Sequence, residues 1–505
     1  AAVAANLTSA VASRAVFNSL WTGALVALLA VLAGTAAALV TERSDAPGRR
    51  LLRVGLLLPL VVPPFVNAFG WTRAYGPHGL LDQAAGLGMP ALYGPIGIVL
   101  VLTVSSTPLA WLIVAGALAS RAEPDLERAA RASGAGRLTV FRTVTLPLLR
   151  PSLVSSAVIV FVFAINAFGV PAVLGTPAAF ATITTRLYQD LALSADPAAF
   201  GRAVTMALSL ILVTLVVVGS SDALLVGRES VRTGLPAGGA GEGTRGGWIP
   251  AIVLAAAIFV TTLVPLAALV LTALTRATGL APIPANWTLS NFGQAMDGRF
   301  FDGLWHSLLL ATIAATLVVL LGALAAGASR GRSRALSTGI ALGFALPGSA
   351  LAVAVLVAYG GWLRDTLAII LVAYVAKFWA LGHRQLAGSI DRLAREQIWA
   401  ARASGARGLD ALVSFAWPIL RPAIVAAWLV VFLFALHELT MSSLLYGPRS
   451  ATLAVVVLNV QQLGDPTVSA ALAVLLTVTV FLAAVPLAVL GRSRRKPRPG
   501  TGEPR

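Results

Sequence analysis

The chain has 505 residues, of which 58% are hydrophobic and only 11% are charged, and its mean hydropathy is +0.86. This composition excludes an ordinary soluble domain and is typical of a polytopic membrane protein. The absence of cysteine excludes disulfides, thiolate metal sites and a cysteine nucleophile, and the absence of a Walker phosphate loop excludes ATP hydrolysis by that route. The four His residues show no metal-ligand spacing, so no metal site is predicted.

The predicted elements are apolar runs of about 20 residues, the length that crosses a bilayer as a helix. Several contain Pro or Gly, which membrane helices tolerate. The runs lie at 17–41, 51–72, 94–118, 151–176, 203–226, 248–274, 304–328, 336–358, 364–387, 422–446 and 467–490. We therefore predict an all-α transmembrane fold with eleven spans.

Basic residues alternate between the connecting loops. Counting from the first loop, 42–50 with the adjoining Arg53, every second loop is basic, and these loops hold 28 of the 37 Lys and Arg residues. The positive-inside rule places these loops in the cytoplasm, residue 1 outside and the C-terminus inside. The net charge of +17 is therefore explained by basic loops on the cytoplasmic side of a membrane, and no nucleic-acid partner is expected.

The start of the chain resembles a loop that follows a helix. The segment at 6–9 resembles 286–289, and 17–20 resembles 305–308, yet the second half has six spans and the first has five. The chain also begins with Ala rather than Met. We expect a further helix before residue 1, which would give twelve spans; a cleaved signal peptide is the alternative.

Two lobes are predicted on either side of a glycine-rich segment. Residues 1–226 form an N-terminal lobe of five spans, and 248–490 form a C-terminal lobe of six. Between them, 227–247 holds eight Gly and is expected to be a flexible cytoplasmic linker. The basic tail at 491–505 is expected to be a disordered cytoplasmic segment.

A basic segment occurs twice at an offset of 271 residues. The first copy, 129–151, reads AARASGAGRLTVFRTVTLPLLRP, and the second, 400–422, reads AARASGARGLDALVSFAWPILRP. Each copy predicts a short helix, a turn at Gly134 or Gly405, and a second short helix ended by proline. A single copy could be a solvated loop, but the duplication favours a knob that docks on a cytoplasmic partner.

The spacing Ala-Ala, three residues, Gly, then Pro thirteen residues later resembles the EAA loop of ABC importer permeases. Glu127 lies one residue further from the Ala pair than is usual, and Leu146-Pro147 is replaced by Trp417-Pro418 in the second copy. The resemblance implies that the loops at 119–151 and 388–422 couple the chain to an ATP-hydrolysing subunit. The coupling residues it implies are Glu127, Ala129, Ala130, Gly134, Pro147, Glu396, Ala400, Ala401, Gly405 and Pro418.

Few ionisable groups lie within the spans. Those that stand out are Lys377 and the pair His437-Glu438, and the counterparts of the pair in the first half are Asn166-Ala167. Charges in a membrane are costly and therefore suggest function. An ion pair between Lys377 and Glu438 with a structural role is one interpretation, and residues that line a translocation pathway, with Asn166 at similar depth, are the other.

Two segments after the repeats narrow the resemblance. FGVPAVLGTP at 168–177 and HELTMSSLLYGP at 437–448 look like the fused, two-lobed ferric-iron-type permeases. This resemblance implies a type I ABC importer permease in the bacterial inner membrane, itself without cofactor or enzymatic activity. The implied partners are a homodimeric ABC ATPase, which holds ATP and Mg²⁺, and an extracytoplasmic substrate-binding protein. Ferric iron is the expected substrate; thiamine, polyamines, 2-aminoethylphosphonate and sulfate are alternatives.

An ion-coupled secondary transporter is the rival class, since such proteins are also built from repeats. It would need membrane carboxylates for its coupling ion, and Glu438 is nearly alone. It would have no need of a duplicated cytoplasmic knob. A membrane scaffold without transport would explain the repeat but not the broken helices.

Overall fold

The computed structural model describes residues 10–120, 124–225, 247–328, 343, 346–391 and 417–493. Within these ranges the regular structure is almost entirely helical, and Thr275 and Trp287 form an isolated antiparallel bridge. The helices of the first half are α1 Ala10–Arg43, α2 Arg49–Val61, α3 Pro64–Tyr75, α4 Leu80–Ala85, α5 Pro95–Ser120, α6 Pro124–Ala132, α7 Arg137–Val140, α8 Leu146–Asn166, α9 Gly169–Leu174, α10 Ile183–Tyr188 and α11 Ala199–Leu225. Those of the second half are α12 Trp248–Ile258, α13 Val264–Leu274, α14 Ser290–Ala295, α15 Gly298–Ala328, α16 Gly348–Leu363, α17 Leu367–Asp391, α18 Trp417–Leu436, α19 Thr440–Leu445, α20 Leu453–Leu463 and α21 Pro466–Ser493.

The predicted all-α transmembrane fold is confirmed. In the described part of the chain, nine helical segments are long and apolar enough to cross a membrane, and the bent pair formed by α2 and α3 makes a tenth. The remaining predicted span, 336–358, lies partly outside the described residues and ends within α16.

Three predicted spans are broken where the apolar run continues. The span at 51–72 bends by 104° between α2 and α3, because Pro63 and Pro64 lack the N–H donors that a continuing helix needs. The spans at 151–176 and 422–446 end at Asn166 and Leu436, and each is followed by a short helix. Side chains nearby bond the backbone groups that each of these two breaks frees, as described below.

Unit 1, the first of two compact units, comprises the described residues within Ala1–Asp297, Pro347–Ala354 and Val457–Thr477. Its densest packing joins α1 to α5, with α8 against both. A Cβ on Gly34 would lie 2.7 Å from Ala110 Cβ and from the Trp111 backbone nitrogen, so the two helices are in close backbone contact there. Small residues allow this approach between membrane helices.

The helices α12 and α13, which the sequence assigned to the second lobe, pack in unit 1. A π turn at Phe259–Leu263 joins them. The turn leaves backbone carbonyls free, and the Trp71 Nε1–H donates to the carbonyl of Thr261 at 3.1 Å. The Tyr75 hydroxyl donates to the carbonyl of Val260. These bonds fix the helix pair against α3.

Unit 2 comprises the described residues within Gly298–Leu346, Val355–Val456 and Val478–Arg505. Its central packing joins α15 to α17 and α18. Gly322 repeats the role of Gly34, because a Cβ there would lie 2.7 Å from Gly382 C and His383 N. Each unit therefore contains a close glycine contact between its first long helix and the helix that precedes the predicted coupling loop.

Candidate functional site

The first predicted coupling loop folds around a glycine turn. Gly134 follows α6 with φ +86°, and its N–H donates to the Arg131 carbonyl at 3.0 Å. The Ala135 N–H donates to the Ala130 carbonyl at 3.1 Å. These two bonds form a Schellman cap. The left-handed residue of such a cap is usually glycine, because glycine has no Cβ to clash in that conformation. The turn expected at Gly134 is confirmed, while Gly405 lies outside the described residues.

The expectation that Pro147 ends the second short helix is wrong. α7 continues through a π turn at Phe141–Thr145 into α8, so that one helical segment runs over Leu138–Asn166. The Leu146 N–H donates to the Phe141 carbonyl across the turn. Pro147 comes two residues after the π turn ends, and the helical segment continues past it into the span.

Glu127 points inward from α6. Its side chain is 14% exposed, and its Oε1 accepts a hydrogen bond of 2.9 Å from the Thr145 hydroxyl. Arg43 Nε, at the end of α1, lies 3.7 Å from the same oxygen. The Arg43 Nη2 group also donates to the Leu118 carbonyl near the end of α5, at 3.2 Å. The carboxylate therefore joins α6 to the ends of two spanning helices and to the π turn.

The outer face of this loop carries apolar side chains. Leu126 is 47% exposed and Leu138 is 61% exposed. Ala129 is exposed beside them, whereas Ala130 is half-buried. Exposed apolar side chains in a segment predicted to face water are typical of a docking surface.

Most of the second predicted coupling loop, including Glu396, Ala400, Ala401 and Gly405, lies outside the described residues. Pro418 is described and is exposed, one residue after the point where the described part of α18 begins.

The first candidate pathway residue, Asn166, is the last residue of α8. Its side-chain oxygen is buried and has no hydrogen-bond partner among the described residues. The next residue, Ala167, is extended, and its carbonyl accepts a 2.8 Å bond from the Thr184 hydroxyl. This bond satisfies a backbone group that the helix break frees.

Glu438 occupies the corresponding break after α18. Its carboxylate accepts hydrogen bonds from the backbone N–H groups of Met441, at 2.9 and 3.1 Å, and of Ser442, at 3.2 Å. The Ser442 hydroxyl lies 2.6 Å from that of Tyr374, which is fully buried on α17. Glu438 therefore caps α19 within a buried polar network.

The proposed ion pair between Lys377 and Glu438 is not formed in this structure. Lys377 Nζ donates instead to the Leu346 carbonyl, and Glu438 is bonded to the backbone of α19. Local backbone groups thus satisfy each charge separately. The neighbouring His437 is partly exposed, and its Nδ1 has no partner within the described ranges.

A pair of serines that the sequence analysis did not single out reproduces the repeat in three dimensions. In unit 1, Ser19 Oγ accepts the Ile183 N–H at 2.9 Å. In unit 2, Ser307 Oγ accepts the Leu453 N–H at 2.9 Å. The sequence similarity of 17–20 to 305–308 could have indicated this pair of serines. The sequence analysis used that similarity only to infer the number of spans.

Comparison with known proteins decides the family. The profile of the "Binding-protein-dependent transport system inner membrane component" family matches residues 30–228. ModB of Mycobacterium tuberculosis, a molybdenum transport system permease protein, is 34% identical over 228 residues, which are 44% of this chain and 84% of that protein. The chain belongs to this family. Family members are ABC permease subunits, transport components rather than catalysts, and the chain is a multi-pass membrane protein.

Other relatives in this permease family are iron transporters by name. A putative ferric transport system permease protein, FbpB 1 of Haemophilus influenzae, is 33% identical over 187 residues, or 36% of this chain. The ferric transport system permease protein FbpB of Actinobacillus pleuropneumoniae is 34% identical over 180 residues. The matched part of the chain spans 29% and 26% of these two proteins.

Proposed function

We propose that this chain is the permease subunit of an ATP-driven importer in the bacterial inner membrane. It receives a substrate from an extracytoplasmic binding protein and passes it to the cytoplasm, where its C-terminus also lies. ATP and Mg²⁺ are bound by a separate, homodimeric ATPase. The observation that carries this proposal is the duplicated cytoplasmic segment, whose first copy presents a capped helix and two exposed leucines.

The continuity of the first loop with its span supports coupling. Because α7, the π turn and α8 form one segment over Leu138–Asn166, a displacement of Leu138 by the ATPase moves the helix that ends at the Asn166 break. Closure of the ATPase dimer on ATP draws the loops together and opens the pathway outward, and hydrolysis resets it. Asn166, Lys377, His437 and Glu438 are the proposed pathway residues.

Ferric iron is the proposed substrate, because two relatives named for ferric transport match the chain. An oxyanion such as molybdate is the second candidate, since ModB of Mycobacterium tuberculosis is matched over 84% of its length. Uptake of labelled ferric iron and of labelled molybdate by membranes that contain the complete importer separates the two. Uptake that needs an ion gradient and proceeds without ATP would favour a secondary transporter instead.

The docking face is tested by placing a charge on it. Leu138→Asp leaves a folded chain, because the side chain is already exposed, but it should reduce ATPase recovery in a pull-down from solubilised membranes. Leu87→Asp is the matched control, since Leu87 is 64% exposed in a loop predicted to lie on the opposite side. Equal ATPase recovery with both variants would contradict docking at Leu138.

A further inference from the structure

The orientation of Glu127 separates it from the other charged residues of α6. Its side chain is 14% exposed, whereas those of Asp125 and Arg128 are 79% and 59% exposed. Asp125 and Arg128 pair with each other on the outer face, at 2.5 Å. A partner that docks on the loop from the cytoplasm would therefore meet these two side chains before it could reach Glu127.

The partners of Glu127 belong to other parts of unit 1. Thr145 lies in the π turn that leads into the span, and Arg43 is the last residue of α1. Arg43 is itself held by the Leu118 carbonyl near the end of α5. The carboxylate is thus the contact through which a short, largely exposed helix is tied to three spanning segments.

A helix of this length needs such a contact. α6 has nine residues, and isolated helices shorter than about 12–15 residues are marginal in water. The inward face of α6 offers little else, because Ala130 is the other half-buried residue next to Glu127 on that face and is small. Partial burial also protects the Glu127–Arg43 pair from the screening that weakens exposed pairs.

We propose that Glu127 is a positioning residue that ties the first coupling loop to the cytoplasmic ends of α1, α5 and α8, and that it does not contact the ATPase. This inference rests on the coupling role proposed above. Movement of the loop is then passed to all three spans, because Glu127 links them. Loss of the link leaves a loop that still binds the ATPase but moves the spans less.

The second copy of the repeat lacks the same polar groups. At the offset of 271 residues, Ile398 stands opposite Glu127 and Ala416 stands opposite Thr145. At these two aligned positions the polar residues are therefore present in the first copy alone, although the second loop has a carboxylate nearby at Glu396. Glu127→Ile with Thr145→Ala makes the first loop like the second at these two positions.

The experiment compares ATPase association with coupling efficiency in the complete importer. The variants are Glu127→Gln, Arg43→Met, Thr145→Val and the Glu127→Gln/Arg43→Met double, with Asp125→Asn/Arg128→Gln as the outer-face control. We expect normal ATPase recovery for the inward variants but uptake per ATP hydrolysed reduced by about tenfold or more, the contribution of one charged hydrogen bond. The double variant should lose less than the sum of the two single losses, because the Glu127–Arg43 contact is removed in both.

The remaining outcomes separate a failure of this inference from a failure of the proposed function. If Glu127→Gln loses the ATPase while Arg43→Met keeps it, Glu127 is a docking contact and the inference is wrong. If all inward variants couple normally while Leu138→Asp loses the ATPase, the inference fails and the proposed function stands. If Leu138→Asp also retains the ATPase, the proposed function fails. Thr145→Val preserves shape, so it decides the question should Arg43→Met not fold.

Discussion

At the scale of single residues, Glu438 illustrates a charge held by backbone groups. Its carboxylate accepts the N–H groups of Met441 and Ser442, which Glu438→Gln can still satisfy in part and Glu438→Leu cannot. We expect Glu438→Leu to lower the free energy of unfolding by about 1–3 kcal/mol, the cost of leaving buried groups unpaired. Thermal unfolding of the purified permease measures this, and equal transition temperatures for the two variants would contradict the capping role.

Individual positions differ in how far the sequence predicts them. Gly134 could be predicted, because a polar helix followed by glycine indicates a left-handed cap, and the structure has φ +86° there. The partners of Glu127 and Glu438 could not be predicted. Each carboxylate has several basic or backbone groups within reach along the sequence, and only the folded chain decides between the Lys377 ammonium and the backbone of α19.

At the scale of helices, close glycine contacts fix the central packing of each unit. Gly34→Val in α1 or Gly322→Val in α15 would place side-chain atoms against backbone about 2.7 Å away. We expect each to destabilise its unit by about 1–3 kcal/mol or more, as overpacking does, and to lower the yield of monodisperse permease.

Gly219→Val is the matched control for these substitutions. Gly219 lies in the spanning helix α11, and a Cβ there would meet nothing within 4 Å. Size-exclusion profiles at equal expression measure the effect. Normal profiles for Gly34→Val and Gly322→Val would show that the helices do not pack in this way.

Helices as a class could be predicted, but the positions of their breaks could be predicted only in part. Hydropathy continues across 62–63 and 166–168, so hydropathy alone does not show that the helix ends there. The breaks depend on tandem prolines in one case and on a hydroxyl from a distant helix in the other, the Thr184 bond to Ala167. At Pro147 the error was the opposite. The sequence predicted that a helix ends there, but the helical segment continues through a π turn.

At the scale of the whole molecule, the distribution of charge predicts which loops face the cytoplasm. The absence of cysteine allows single cysteines to be introduced without other changes. Leu138 and Leu87 are both exposed, so a cysteine introduced at either position is accessible to a thiol reagent. We expect a membrane-impermeant maleimide to label Leu87→Cys in intact cells and Leu138→Cys only after the membrane is opened. Labelling of Leu138→Cys in intact cells would invert the topology.

The most direct test of the coupling role is ATP-dependent uptake with a changed Gly134. Any side chain at φ +86° costs about 1–2 kcal/mol, and a β-branched one costs more. Gly136 is the matched control, because it is exposed in the same loop, has no positive φ, and a Cβ there would meet nothing within 4 Å. With equal amounts of permease in the membrane, we predict that Gly134→Val loses ATPase recovery and uptake while Gly136→Val retains both. Full uptake and ATPase recovery with Gly134→Val would contradict the coupling role.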